Sequence, residues 1–181
     1  MSNKIKKAII SISDKSEIKF VLNTLKKYKV NILSSGGTSK EINKLGFKCT
    51  DISEYTKTDE ILDGRVKTLH PKLYAGILSK RDNKNHKKEL KKNNYEEIDL
   101  VIVNFYPFEE ILKSTKNHNK LIENIDIGGP TLVRAAAKNY KYTTVLTSPN
   151  QYKEFILDLE KNKGSTSLDF RKKLSQEAFN L

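Results

Sequence analysis

The chain has 181 residues, enough for one domain with its own hydrophobic core, and it carries a formal net charge of +12. Its single cysteine excludes a disulfide framework and a cysteine-rich metal site, and no apolar run approaches the ~20 residues of a membrane span. The basic N-terminus leads into an apolar stretch too short for a signal peptide, so we expect a cytoplasmic protein with no membrane partner.

The positive charge comes almost entirely from lysine, because only four of the 34 basic residues are arginine. Surfaces that read nucleic acids favour arginine and interleaved aromatic side chains, whereas these lysines are scattered along most predicted helices. The densest group, residues 84–92, is typical of the solvated face of a surface helix. We therefore expect no nucleic-acid partner, and we expect the charge to raise the local concentration of an anionic ligand.

Short β-branched runs alternate along the chain with segments of helical periodicity. Strands are predicted at residues 7–13, 30–33, 47–52, 73–78, 99–105 and 142–147. Helices are predicted at residues 18–28, 84–94, 131–138 and 167–179, with shorter ones before residue 46 and after residue 149. The continuous apolar run at 99–105 is typical of a parallel strand buried on both faces. This order predicts an α/β fold of three layers, a mostly parallel sheet flanked by helices.

Polar or glycine-rich loops follow several of the predicted strands, at the edge where open parallel sheets bind ligands. They lie at residues 13–15, 34–38, 104–107 and 126–131. The paired glycines of the second loop let backbone N–H groups approach an anion, and its threonine is predicted to cap the next helix. A further loop, residues 63–71 (DGRVKTLHP), gathers the guanidinium, ammonium and hydroxyl groups that suit a phosphate monoester. Together these loops predict a site for a phosphorylated ligand.

Several of these polar residues also have a purely structural interpretation. Asp14 fits an N-cap of the first helix, and Asn104 and Tyr106 fit satisfied polar groups at a strand end. Arg134 and Lys138 place like charges on one helix face, which is unfavourable unless an anion lies nearby. No cluster of His, Cys and carboxylates has metal-ligand spacing, and no nucleophile–base pair is evident. We therefore expect no metal and no cofactor.

The motifs resemble, in the same order, the IMP cyclohydrolase domain, the N-terminal half of bifunctional purine biosynthesis enzymes that also carry AICAR transformylase. The resemblance extends over essentially the whole chain and rests on residues 12–15, 35–38, 63–71, 104–108, 125–131 and 134–139. It implies a methylglyoxal-synthase-like, Rossmann-like fold. It also implies a cofactor-free reaction in which 5-formamidoimidazole-4-carboxamide ribotide loses water to give IMP, after its carboxamide nitrogen attacks its formyl carbon.

The resemblance also assigns roles to residues. The implied catalytic residues are Lys138, as proton donor and acceptor, with Lys67, Asp126 and Tyr106. The implied substrate-binding residues are Ser13, Asp14, Lys15, Ser35, Gly36, Gly37, Thr38, Arg65, Val66, Lys67, Thr68, Asn104, Phe105, Asp126, Ile127 and Gly128. Of these, Lys15, residues 35–38, Arg65 and Thr68 are assigned to the 5′-phosphate, and Asn104 is expected to orient the carboxamide and formyl groups. Because the attacking amide is a poor nucleophile, positioning and charge stabilisation should dominate catalysis.

By the same resemblance, residues 1–165 form the cyclohydrolase domain, and residues 166–181 form a helix leading toward a transformylase domain that this sequence lacks. The expected partners are the formylated AICAR substrate and IMP, a transformylase domain in cis or as a separate chain, and a second copy in a homodimer. Two alternatives stay open: a non-catalytic nucleotide-binding remnant, and methylglyoxal synthase on the same fold. The second would use a phosphate loop but not the motifs at 104–108 and 126–138.

Overall fold

A computed structural model of the chain describes residues 4–105 and 112–181 and contains one five-stranded sheet. Its strands are β1 (Lys7–Ile12), β2 (Asn31–Ser34), β3 (Thr50–Asp51), β4 (Leu100–Asn104) and β5 (Thr144–Leu146). They run parallel in the order β3-β2-β1-β4-β5, with Ile9 of central β1 level with Leu33 and Val101. Consecutive residues of β1 and β4 are buried, so helices cover both faces of the sheet. The predicted α/β class and parallel sheet are confirmed.

Nine helices that lie wholly within residues 4–105 and 112–181 flank this sheet, together with 3₁₀ turns at Leu62–Gly64 and Pro149–Gln151. They are α1 (Ile18–Lys27), α2 (Gly36–Lys44), α3 (Ile52–Thr56), α4 (Pro71–Leu78), α5 (Lys84–Lys92), α6 (His118–Glu123), α7 (Gly128–Lys138), α8 (Tyr152–Lys161) and α9 (Leu168–Phe179). None of the helices in the described part of the chain has both the length and the apolar character needed to cross a membrane.

Residues 73–78 belong to helix α4, so the strand predicted there is wrong. Pro71 occupies the first turn, where its fixed φ favours a helix, and the His70 Nδ1 accepts a hydrogen bond of 3.1 Å from a first-turn N–H group. Leu73 and Ile77, four residues apart, are both fully buried. Their spacing places them on the same helix face. In a run of only six mostly apolar residues, however, this spacing does not distinguish a helix from a buried strand.

The strand predicted at residues 47–52 is shorter in the structure, where β3 consists only of Thr50 and Asp51. The Asp51 carboxylate accepts a hydrogen bond of 2.9 Å from the Ser53 N–H and so caps helix α3. This cap turns the chain into a helix at Ile52, whose side chain remains in the core. The correction therefore concerns the length of the strand and not its existence.

Helix α9 packs as part of the core and does not stand apart from it. Its Phe170, Leu174 and Ala178 are buried, and the Ser175 hydroxyl donates a hydrogen bond of 2.8 Å to the Ala137 carbonyl of α7. Its contacts with α7 and β5 continue the layer of helices on that side of the sheet. The domain boundary at residue 165 stays a prediction, and the packing shows no gap there.

Buried polar groups join the amino ends of the strands, which we call the amino edge of the sheet. The Asp99 carboxylate, just before β4, accepts hydrogen bonds of 2.9 and 3.2 Å from the N–H groups of Lys6 and Lys7. The buried guanidinium of Arg81 lies 3.6 Å from Asp99. It donates to the backbone carbonyls of Gly76, Ser79 and Ile98. This network fixes one edge of the sheet and leaves the opposite, carboxyl edge to the polar loops.

Candidate active site

A cleft of about 690 Å³ opens at the carboxyl edge of the sheet, beyond the ends of β1, β2 and β4. Most of the predicted site residues line it: Ser13, Lys15, Ser35, Gly36, Gly37, Thr38, Arg65, Lys67, Thr68, Asn104, Asp126, Ile127 and Gly128. The structure thus brings residues from five separate motifs to one concave surface. Asp14, Val66, Phe105 and Lys138 do not line it, and Tyr106 lies outside the described residues.

One wall of the cleft is the N-terminus of helix α2. Ser35 precedes the helix in an extended conformation, and its side chain makes no capping hydrogen bond, so the first N–H groups have no side-chain cap. Gly36 adopts a φ of +56°, and a Cβ placed there would lie 3.1 Å from the Lys67 Nζ. The ammonium group therefore sits over the helix N-terminus. Both features attract an anion to the same place.

Thr38 and Ser34 support this wall from inside the fold. The Thr38 hydroxyl makes hydrogen bonds of 3.0 Å with both the N–H and the carbonyl of Ile12, at the end of β1. The Ser34 hydroxyl donates to the Ile10 carbonyl at 2.8 Å. The prediction that Thr38 caps α2 is wrong, because the helix begins two residues earlier, at Gly36. Its hydroxyl instead fixes the distance between β1 and α2.

The basic loop forms the second wall. Leu62, Asp63 and Gly64 all have positive φ, between +52° and +86°, and turn the chain sharply before Arg65. Positive φ is costly for the two residues that carry a Cβ, of order 1–3 kcal/mol each. Two positions later the Lys67 Nζ lies 3.4 Å from the Glu60 Oε1. The turn therefore brings the arginine and the lysine to the cleft from one short segment.

The third wall is the start of helix α7, where two glycines allow close packing. A Cβ on Gly128 would lie 2.4 Å from the Thr68 Oγ1, and one on Gly129 would lie 2.3 Å from the Asp126 Oδ2. The Asp126 Oδ1 accepts a hydrogen bond of 2.8 Å from the Gly129 N–H. The carboxylate is thus held at the positive end of the α7 dipole. The glycines let a hydroxyl and a carboxylate approach the helix together.

Asn104 lines the floor of the cleft, but its side-chain amide is engaged by the loop after β1. Its Oδ1 accepts hydrogen bonds from the Ser13 N–H at 2.7 Å, the Ser13 hydroxyl at 2.9 Å and the Asp14 N–H at 2.9 Å. Its Nδ2 donates to the Asp14 carbonyl at 2.9 Å. The predicted role of orienting the substrate carboxamide is not supported by this geometry. Asn104 instead positions the loop that presents Lys15.

Two residues predicted to bind substrate have other surroundings. The exposed Asp14 carboxylate accepts a hydrogen bond of 2.8 Å from the Ser16 N–H, and its hydrogen bonds with Ser16 lower its pKa. It does not cap helix α1, whose N-cap position is Glu17. Phe105 is half-buried and packs against the hydrophobic core. Neither side chain lines the cleft, and their part in substrate binding stays a prediction.

Lys138 lies at the end of α7 remote from the cleft. The helix begins at Gly128, and ten residues at about 1.5 Å each separate the two positions by about 15 Å. Lys138 is exposed, and the adjacent Asn139 donates hydrogen bonds to Ile77 and Ser79 on the amino-edge side of the molecule. Within one chain Lys138 and Lys67 therefore do not share a site, contrary to expectation. Arg134 lies 5.2 Å from the Phe179 ring centroid.

Sequence reasoning missed the residues that helix α6 and the segment after it add to the cleft, Ile122, Glu123, Asn124 and Ile125. Glu123 forms a two-pronged ion pair with Arg65, 58 positions earlier in the chain. No local pattern reports such a contact, because it depends on how two distant loops fold back on the sheet edge. Among residues 4–105 and 112–181, no group of three or more His, Cys, Asp or Glu side chains is arranged to hold a metal ion.

Two family models match the chain. The MGS-like domain model covers residues 17–131, and the AICARFT/IMPCHase bienzyme model covers residues 136–181. Bifunctional purine biosynthesis proteins PurH are similar over almost all of the chain: 45% identical in Rhizobium rhizogenes (97% of this chain, 32% of that protein) and 46% in Prochlorococcus marinus (95% and 33%). The chain thus spans about a third of the length of these relatives.

A solved structure supports the same assignment. The crystal structure of ForH superposes with a TM-score of 0.85 at 27% identity, over 97% of this chain and 92% of that one. The sequence resemblance drawn from the motifs is confirmed by these matches. Since the MGS-like model alone covers well over half of the residues and the sheet has the corresponding architecture, the chain belongs to the MGS-like domain family.

Proposed function

We propose that this chain is an IMP cyclohydrolase, which closes the second purine ring of 5-formamidoimidazole-4-carboxamide ribotide with loss of water. The relatives are named as bifunctional purine biosynthesis proteins, and the bienzyme model covers the C-terminal quarter of the chain. The observation that carries the proposal is the combination found in one cleft: a helix N-terminus suited to a phosphate, a lysine beside it and a fixed carboxylate opposite.

The 5′-phosphate would lie at the N-terminus of α2, where Lys15 and Arg65 add positive charge. The imidazole ring would then extend toward Asp126 at the start of α7. Holding the carboxamide nitrogen against the formyl carbon of the same molecule supplies the proximity that a poor nucleophile needs. We therefore expect catalysis to depend more on holding the substrate in one conformation than on a strong general base.

Ring closure forms a bond between the carboxamide nitrogen and the formyl carbon and moves charge onto the formyl oxygen. The ammonium group of Lys67 would stabilise this oxyanion, and Asp126 would accept the proton that leaves the nitrogen. The oxyanion then takes up that proton, and the resulting hydroxyl leaves as water with the proton of the former formamide N–H, whose nitrogen forms the C=N bond that completes the second ring. A transformylase domain in cis or in a second chain, a homodimer and a cytoplasmic location go with this proposal.

The test compares IMP formation by the purified chain, followed by absorbance, with that of Lys67→Ala and Lys138→Ala. We expect Lys67→Ala to lose at least ~100-fold in turnover, as for removal of an oxyanion-stabilising group. The loss for Lys138→Ala should be far smaller, because Lys138 lies remote from the cleft. Equal losses would mean that Lys138 reaches the reacting atoms from a second copy.

IMP binding without turnover would identify a nucleotide-binding remnant. Conversion of dihydroxyacetone phosphate would identify a methylglyoxal synthase. Either result would replace the proposal.

A further inference from the structure

Two cationic side chains of the cleft are already paired with carboxylates of the same chain. Arg65 pairs with Glu123, and Lys67 lies 3.4 Å from Glu60. Lys15 differs, since among the described residues its Nζ contacts only the Ser13 carbonyl, at 3.3 Å. The cleft therefore holds carboxylates of the same chain at two of its three cations.

The Arg65–Glu123 contact has the geometry by which a guanidinium binds an oxyanion. The Arg65 Nε lies 3.3 Å from the Glu123 Oε2, and its Nη2 donates to the Oε1 of the same carboxylate. This two-pronged face is the one with which arginine also grips a phosphate. Since Glu123 uses it, a phosphate that binds Arg65 in the same way has to displace the carboxylate.

The pair is placed where displacement is feasible. The side chains of Arg65 and Glu123 are 61% and 56% exposed, so both groups lie at the mouth of the cleft. Arg65 follows the turn at Leu62–Gly64, and Glu123 is the last residue of α6. The contact thus joins two walls of the cleft with an ion pair that solvent can reach. Exposed pairs of this kind exchange readily because water weakens them.

We propose that Glu123 competes with the ligand phosphate: it occupies the Arg65 guanidinium, and a phosphate monoester dianion has to displace it to bind there. A phosphate carries close to two charges and three acceptor oxygens, so it outcompetes a carboxylate for the same guanidinium. A neutral nucleoside has no group to exchange and leaves the pair intact. The inference rests on the proposed function only in taking the ligand to be a 5′-phosphorylated nucleotide.

The neighbouring Asp63 provides the matched comparison. It lines the same cleft and lies two residues before Arg65, but no hydrogen bond joins the two side chains. The hydrogen bonds to Glu123 are the main cause of the raised pKa of Arg65, and the charge of Asp63 raises this pKa by a smaller amount. Asp63→Asn removes one negative charge while leaving the Arg65–Glu123 pair, and asparagine tolerates the φ of +53° there. A change in IMP affinity that is larger in Glu123→Gln than in Asp63→Asn is therefore caused by loss of the Arg65–Glu123 ion pair and not by loss of one negative charge.

The experiment measures binding of IMP and of inosine, by calorimetry, to the full chain and to Glu123→Gln and Asp63→Asn. We expect Glu123→Gln to tighten IMP binding about threefold to fivefold, the upper part of the range given by an exposed ion pair. Asp63→Asn should change IMP affinity less than twofold, and inosine affinity should not respond to Glu123→Gln. Equal tightening by both variants, or weaker IMP binding by Glu123→Gln, would overturn the proposal.

A second probe separates this inference from the proposed function. Inorganic phosphate is titrated into the wild type and Glu123→Gln while the Arg65 Nε–H resonance is followed by NMR. The resonance should respond at a lower phosphate concentration in the variant, whether or not IMP binds. Absence of IMP binding to the wild type would count against the proposed function. An identical phosphate response in the two proteins would count against the role of Glu123.

Discussion

Asn104 shows how one side chain holds the floor of the cleft. Its amide makes four hydrogen bonds with the backbone and side chain of Ser13 and the backbone of Asp14, and the residue is 8% exposed. The loop that carries Lys15 therefore depends on a residue 90 positions away. Since two N–H groups and one hydroxyl share a single acceptor, removing that acceptor leaves several donors without a partner.

We predict that Asn104→Ala lowers the free energy of unfolding by about 2 kcal/mol, the cost of unsatisfied buried polar groups. It should also raise the KM for the ribotide, because the loop before Lys15 loses its anchor. Urea unfolding and steady-state kinetics measure the two effects. Asn104→Asp, which keeps the acceptor oxygen, should recover most of the stability. A KM unchanged by Asn104→Ala would show that this loop takes no part in binding.

At this scale the sequence identified most of the residues at the cleft but not what each one contacts. Strand-end loops are readable because glycine and polar residues interrupt apolar runs, and such loops meet at one edge of a parallel sheet. The partners of Asn104 and of Arg65 lie 90 and 58 positions away. Their pairing depends on loop conformations, among them the positive φ at Leu62, that residue types alone do not specify.

Among the elements, helix α2 has the most direct link to the proposed function. Its second residue, Gly37, is exposed, and a Cβ there would meet no atom within 4 Å. An alanine would thus fit the folded chain, and alanine is more favourable than glycine in a helix by up to ~1 kcal/mol. The same methyl group would lie where a phosphate approaches the N–H groups of the first turn.

We predict that Gly37→Ala leaves the melting temperature unchanged or higher while weakening IMP binding about tenfold, because a crowded phosphate loses charge-assisted hydrogen bonds. Calorimetry and thermal unfolding test the two halves separately. Asn43→Ala, an exposed change on the same helix that does not line the cleft, is the control and should keep wild-type affinity. Wild-type IMP binding by Gly37→Ala would place the phosphate away from this helix terminus.

Helices and strands were predicted correctly where an apolar pattern extends over many residues. They were predicted incorrectly where a single capping contact determines where a helix begins. The long apolar run of β4 and the helical periodicity of α1 both indicated the right structure. Residues 73–78 form helix α4 because His70 and Pro71 fix its first turn, an effect that a short apolar run conceals. A single cap at Asp51 likewise ends β3 after two residues.

In the whole molecule, the two edges of the sheet have different roles. The carboxyl edge carries the proposed binding cleft, and the amino edge contributes to stability. The carboxyl edge carries strained turns and unused donors, whereas the amino edge is closed by hydrogen bonds among Arg81, Asp99 and Asn139 with nearby backbone groups. Asp99 is 5% exposed, and burial raises the pKa of its carboxyl group, while Lys6 N–H and the Arg81 charge oppose that rise. The free energy of unfolding therefore depends on pH through the carboxyl group of Asp99.

The sign of that coupling follows from the raised pKa of Asp99. Between the unfolded value, near 3.8, and the higher folded value, the native state binds the proton more tightly than the unfolded state. The contribution of this group to stability therefore falls as pH rises through that window and is constant above it. Removing Arg81 would raise the folded pKa of Asp99 further, because its attraction for the carboxylate is lost.

We predict that Arg81→Gln lowers the free energy of unfolding at pH 7 by about 3–5 kcal/mol, as for a broken buried ion pair. The loss should become smaller as the pH falls through the raised pKa of Asp99, because a protonated carboxyl group does not need the Arg81 charge, and urea unfolding at pH 7 and at an acidic pH measures the difference. Lys141→Gln, which breaks an exposed pair with Asp82, should change stability little at either pH. An Arg81→Gln loss independent of pH would assign it to the unpaired backbone carbonyls and not to Asp99. Since Arg81 lies at the edge opposite the cleft, the folded fraction of the variant should keep its turnover number.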